Sequence, residues 1–167
     1  MRKCSLAAGS VFLALIAAQT WAAPAPPVKL TDTSETFTLN NGIVAASVSK
    51  RSGDLVSLRY HGIELLQAGN GRAFGYWSLP GTRLTFGSQH RAIVREDPGS
   101  NGGARGTVAV QFTYDGAANT AAADVELVYS LARGDSAIYL LGNFNHRPEY
   151  PLLTFGPGRF AAKLNSQ

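Results

Sequence analysis

The chain has 167 residues, with 15 Lys and Arg against 11 Asp and Glu, 18 glycines, 8 prolines and a single cysteine. That is enough for one domain with a buried core, and one cysteine excludes a disulfide-stapled scaffold. Arg2 and Lys3 are the only charges in residues 1–22, so the remainder is nearly neutral at about +2, which gives no case for nucleic-acid binding, since that would want a clustered basic face.

Residues 1–22 have the form of a secretory signal peptide. Arg2 and Lys3 make a basic start, Leu6 to Ala18 is apolar, and Thr20-Trp21-Ala22 ends in a small-x-small cleavage pattern. The apolar run is shorter than the ~20 residues of a spanning helix. The expected product is therefore secreted, extracellular or periplasmic, with no membrane association after cleavage. Cys4 precedes the apolar run, unlike a lipoprotein cysteine, and leaves with the leader, so the core alone must hold the fold. Ala23 to Thr33 (APAPPVKLTDT) is Pro-rich and expected to be an extended linker, leaving 34–167 as the domain.

Phe37 to Leu66 (FTLNNGIVAASVSKRSGDLVSLRYHGIELL) predicts a meander. Asn40-Asn41-Gly42, Ser52-Gly53-Asp54 and His61-Gly62 separate runs that alternate apolar and polar. Val44, Ala46 and Val48 share one face. Val56, Leu58 and Tyr60 are expected to share the next, with Ser57 and Arg59 pointing away.

Gln67 to Ser88 is glycine-rich and reads as a long loop carrying Phe74-Gly75-Tyr76-Trp77. Two readings of these aromatics stay open: they pack onto the sandwich edge, or Tyr76 and Trp77 form a sugar-stacking platform. Arg91 to Glu96 is a short strand and Asp97 to Arg105 a loop. Val108, Val110, Phe112 and Tyr114 alternate with polar residues, as do Val125, Leu127, Tyr129 and Leu131. Asp115-Gly116 and Arg133-Gly134-Asp135 mark turns, the latter a loop tripeptide with no adhesion role assigned. Ile138 to Leu141 is continuously apolar and predicts a central strand covered on both faces. No helix longer than a turn or two is suggested beyond the leader. The fold class is therefore all-β, an antiparallel β-sandwich.

The final strand, Arg159 to Leu164, puts Phe160, Ala162 and Leu164 on one face and Arg159 and Lys163 on the other, with only Ala161 between the two cations. That pair suits an anionic ligand, and Arg grips carboxylates bidentately; a plain solvated face remains the alternative. His146, in Asn145-His146-Arg147-Pro148-Glu149-Tyr150, lines a cleft or sits in a loop. His61, His90 and His146 lack metal-ligand spacing, and neither a nucleophile elbow nor a phosphate loop is present in the sequence. No cofactor is expected.

The pieces at 39–66 and 127–151, with Gly75-Tyr76-Trp77 and Gly158-Arg159-Phe160-Ala161-Ala162-Lys163-Leu164-Asn165, resemble the N-terminal catalytic domain of rhamnogalacturonan endolyases, polysaccharide lyase family four. The resemblance implies a galactose-mutarotase-like supersandwich, an extracellular location and an acidic polysaccharide partner, pectin rhamnogalacturonan I or its oligosaccharides. The implied reaction is β-elimination at galacturonate, in which cations neutralise the uronate carboxylate while a base takes the adjacent proton. Arg159 matches the family's substrate-binding arginine. Two departures stand out: Pro157 occupies a position commonly held by Glu, and the family's catalytic lysine and histidine lie downstream of this strand, so Lys163 does not match that lysine. The resemblance thus implies a sandwich incomplete at its C-terminus and, alone, inactive, with no catalytic residue assigned. Two alternatives stay open, a stand-alone carbohydrate-binding sandwich and a structural or partner-binding module.

Overall fold

The computed structural model describes residues 24–67, 74–78, 85–154, 156 and 158–166. The leader, Cys4 and Pro157 lie outside the described residues. The described chain forms eleven strands: β1 (Lys29–Asp32), β2 (Thr36–Asn40), β3 (Val44–Ser49), β4 (Leu55–Tyr60), β5 (Ile63–Glu64), β6 (Gly75–Ser78), β7 (Gln89–Glu96), β8 (Arg105–Thr113), β9 (Asp124–Ala132), β10 (Tyr139–Asn145) and β11 (Arg159–Ala162).

They build two antiparallel sheets. One runs β1-β2-β3-β4-β6-β11, with the two-residue β5 hung on β4; the other runs β10-β9-β8-β7. After β6 the chain leaves the first sheet and lays down β7 to β10 as a meander. It then returns to place β11 against β6. The protein is an all-β antiparallel sandwich.

The core lies between the sheets. Phe37, Leu39, Val44, Ala46, Val48 and Leu55 of the first sheet are buried against Val108, Val110, Phe112, Val125, Leu127 and Leu131 of the second. These are the alternating positions of the strands, so removing one face of each from water drives assembly. The turns form where expected, with positive φ at Gly42, Gly53 and Gly62.

Four expectations are corrected. In β4 the pairing jumps from Ser47↔Ser57 to Val48↔Leu55, which leaves Val56 as a bulged extra residue. Leu55, not Val56, therefore carries the buried position. The linker segment contributes β1, paired with β2 over four residues, and Val28 just before it is buried. The glycine-rich loop holds β6, whose cross-strand partner is the distant β11. Finally, the apolar run Ile138 to Leu141 leads into β10, an edge strand: Leu140 packs inward while Tyr139 and Leu141 stand 59% and 61% exposed. Four apolar residues in a row do not distinguish a two-faced strand from one whose outer side chains are simply uncovered.

Among the described residues, the side chains of Asn41 and Tyr129 join the layers by hydrogen bonds. Asn41, fully buried, donates from Nδ2 to the carbonyls of Ala132 and Asp135, both at 2.8 Å, and its Oδ1 accepts from the Ile43 and Val44 amides at 3.0 and 2.8 Å. The side chain thus closes its own hairpin and ties it to the β9–β10 turn. Tyr129, also fully buried, donates its hydroxyl to the Gly53 carbonyl in the opposite sheet's hairpin at 2.5 Å.

Candidate functional site

β6 and β11 are short strands that position the site through one another. Arg159 pairs with Ser78, Phe160 with Trp77, Ala161 with Tyr76 and Ala162 with Gly75. Because side chains alternate, this register sorts the four aromatic and cationic residues cleanly. Phe160 and Trp77 face the core, with rings 5.8 Å apart and edge-on. Arg159, Ala161 and Tyr76 face outward, and Lys163, two residues beyond Ala161, continues the same face. Lys163 is fixed by its backbone, donating to the Phe74 carbonyl and accepting from the Gln67 amide, both at 2.9 Å.

Arg159 and Lys163 are exposed, and the side chain of neither makes a hydrogen bond or ion pair to another described residue. Tyr76 stands directly across from the alanine between them, at the ~5 Å separation of cross-strand neighbours. The outcome is a phenol flanked diagonally by two cations over a small residue. Such a face can hold an anion by charge-assisted hydrogen bonds while a ring rests on the tyrosine. A guanidinium cannot remove a proton, so these groups bind and neutralise.

Two sequence candidates do not join this face. Trp77 is corrected from a sugar-stacking residue to a core residue: its ring packs edge-on to Phe144 at 6.1 Å and lies over Gly142, where an added Cβ would come within 3.0 Å of it. Adjacent residues in a strand point opposite ways, so Tyr76 and Trp77 cannot both face out. The buried Trp77 Nε1 has no hydrogen-bond partner of acceptable geometry. It lies close enough to the Tyr129 oxygen to offset slightly the burial that, with the charge of Asp54, drives that phenol's pKa far up.

His146 belongs to a separate cluster just past β10. Its Nε2 lies 3.0 Å from the Pro151 carbonyl and its ring meets Tyr150 edge-on at 6.1 Å. Asp124 organises that cluster, accepting from the Tyr150 hydroxyl at 2.8 Å, the Tyr114 amide at 3.1 Å and Arg147 Nε at 2.7 Å. Burial works against the Asp124 charge, but these donors outweigh it and hold the carboxyl below its ordinary range. Through Arg147 and Tyr150, Asp124 pins the 146–151 segment to the start of β9. No hydrogen bond, ion pair or ring contact joins His61, His90 or His146 to Arg159 or Lys163.

Sequence reasoning missed two neighbours. Ser78 lies opposite Arg159, and Asp54, in the row after the Leu55↔Gly75 pair, adjoins Tyr76. Both follow from β6 being a strand between β4 and β11, which no local pattern encodes. Among the described residues no group of three His, Cys, Asp or Glu could hold a metal ion, and no helix is long and apolar enough to cross a membrane. No protein-family model matches the chain, and no curated protein matches it.

Proposed function

We propose that this chain binds acidic saccharides, as the substrate-holding part of a secreted, rhamnogalacturonan-lyase-like protein. The observation that carries the reading is the juxtaposition of Arg159, Tyr76 and Lys163 on one strand face, with both cations exposed and neither paired in a salt bridge with a described acidic residue. A uronate offers both matching features, a carboxylate for the cations and a pyranose ring whose C–H face lies against a phenol. Secretion rests on the leader pattern of residues 1–22, and the pectin class on the resemblance of the strand sequences. Holding the ligand is the role assigned, because the described groups beside the cations stabilise charge and none of the histidines adjoins them. The test is calorimetric titration with oligosaccharides that contain galacturonate and with neutral ones of equal length. Binding of the acidic set that is lost in Arg159→Ala supports the proposal; equal affinity for both sets, or none for either, removes it.

A further inference from the structure

The four outer edges of the two sheets are not alike. β1 is four residues long, enters from Pro24, Pro26 and Pro27, and carries Lys29 and Asp32. β11 is also four residues, begins at Arg159 and is followed by Lys163. β7 carries Arg91, Arg95 and Glu96, and its pairing shifts between Val94 and Glu96. That bulge frees Arg95 to reach across β8 to Glu126 of β9. Shortness, proline, charge and bulges are the devices by which edge strands discourage pairing with other chains.

β10 has none of them. Its seven residues, Tyr-Leu-Leu-Gly-Asn-Phe-Asn, contain no charge and no proline, and all seven pair with β9 without a register shift. Among the described residues no strand pairs with its other side. Tyr139 and Leu141 stand exposed on the outer face of this edge, while Leu140 and Phe144 are only partly covered on the inner one.

We propose that β10 is a docking edge for β10 of a second copy of this chain, antiparallel, so that two four-stranded sheets join across a twofold axis. The lack of charge selects this occupant. Antiparallel pairing centred on Gly142 sets Tyr139 against Asn145, Leu140 against Phe144 and Leu141 against Asn143 of the second copy, with no like charges opposed. The inner-face pairing of Leu140 with Phe144 covers apolar surface that a monomer leaves half open. The contact uses the same strand on both sides, so it is isologous and closes at two copies, without propagating into a fibre. The nearby cation Arg147 is already engaged by Asp124, so it neither competes for the edge nor repels its twin.

Sedimentation equilibrium of the purified chain across micromolar concentrations tests this, with Leu141→Lys and Leu141→Glu as variants. Leu141 is exposed, so either change leaves the monomer's core intact, which an unchanged thermal midpoint verifies. In the paired arrangement the two copies of residue 141 are diagonal neighbours. The wild type is expected to dimerise, each variant alone to be monomeric, and an equimolar mixture of the two to dimerise again through opposite charges. A wild type that stays monomeric, as it would if a strand of another protein were the occupant, overturns the proposal. So does an open-ended polymer, or a dimer that Leu141→Lys leaves undisturbed.

Discussion

The hydroxyl of Tyr129 and the carbonyl of Gly53 meet at 2.5 Å in the interior, 76 residues apart in sequence and in opposite sheets. Gly53 is needed there twice over: its φ is +69°, and an added Cβ would fall 2.7 Å from the Leu127 side chain. The contact therefore fixes the β3–β4 turn against β9 at a point where a larger residue would wedge the layers apart. Tyr129→Phe keeps the ring and strips the buried carbonyl of its donor. The expected loss is about 1–2 kcal/mol of unfolding free energy, measured by urea denaturation with an unchanged slope. A loss near zero would mean that water reaches Gly53 and the layers are less tightly closed there.

Asn41 also ties the layers together, and its replacement is expected to do more damage. All four of its hydrogen bonds are to backbone groups, two in its own hairpin and two in the β9–β10 turn. Asn41→Ala leaves these groups to find partners in a site closed to solvent, at a cost of about 3 kcal/mol. Asn41→Asp turns the donor aimed at Ala132 and Asp135 into an acceptor and should be at least as harmful. If both variants unfold at the wild-type denaturant midpoint, the side chain does not hold the turns together.

Acid should loosen the turns at the end of the second sheet. The Ser88 hydroxyl, then the Ser88 and Ala117 amides, donate to Asp115 and lower its pKa from 3.8 to about 2. Asp124 is lowered as well, its donors Tyr150, Tyr114 and Arg147 prevailing over burial. A carboxyl whose folded pKa lies below its unfolded one adds stability that is fully present above the unfolded value and disappears as pH falls through the folded value. The contribution of Asp115 is thus complete above pH 4 or so and is lost towards pH 2. Carboxyl-carbon NMR should place the Asp115 midpoint near 2 and shift it upward in Ser88→Ala. An ordinary midpoint, indifferent to Ser88, would contradict the geometry.

Much of the fold is legible in the sequence because each long strand keeps one apolar face. Val44, Ala46 and Val48 in β3, and Val125, Leu127, Tyr129 and Leu131 in β9, are buried as their spacing predicts. What escaped depends on partners far along the chain. The bulge at Val56 arises from pairing with β3, and the exposure of Tyr139 and Leu141 from β10 lying at an edge. Asn41 looks like an ordinary turn residue until the β9–β10 turn arrives beside it. At the site, the face shared by Arg159 and Lys163 was readable from their spacing alone. That Tyr76 would join them and Trp77 would not required knowing that the glycine-rich segment contains a strand.

That division yields a paired test of the two aromatics. Tyr76→Ala should weaken binding of galacturonate oligosaccharides by about 1–2 kcal/mol, the range of a lost stacking and hydrogen-bonding contact, with little change in fold stability. Trp77→Ala should do the reverse. It opens a cavity among Phe144, Phe160 and Gly142 and is expected to cost about 3–5 kcal/mol of stability. Trp77→Phe, which keeps most of the packing, should leave affinity unchanged. Affinity that falls with Trp77→Phe and survives Tyr76→Ala would reverse the assignment of the two faces.

The last prediction concerns chemistry. β-Elimination at a uronate requires a base aligned with the proton next to the carboxylate, an electrostatic partner for the enolate, and a donor for the leaving oxygen. In the proposed reading, Arg159 and Lys163 would supply the second requirement. Arg159 cannot supply the first, since guanidinium stays protonated at working pH. Histidine is the side chain whose ordinary pKa best suits the task, but among the described residues none of the three histidines contacts Arg159 or Lys163. His61 lies edge-on to Tyr60, His90 tilts over Phe112 and His146 leans on Tyr150. This chain is therefore expected to bind rhamnogalacturonan I without cleaving it, and the ultraviolet absorbance of unsaturated uronate should stay at background over long incubation. A steady rise that persists in Arg159→Ala would indicate a contaminating lyase. A rise abolished by Arg159→Ala and equally by Tyr76→Phe would overturn the prediction and identify the phenol between the two cations as the missing base.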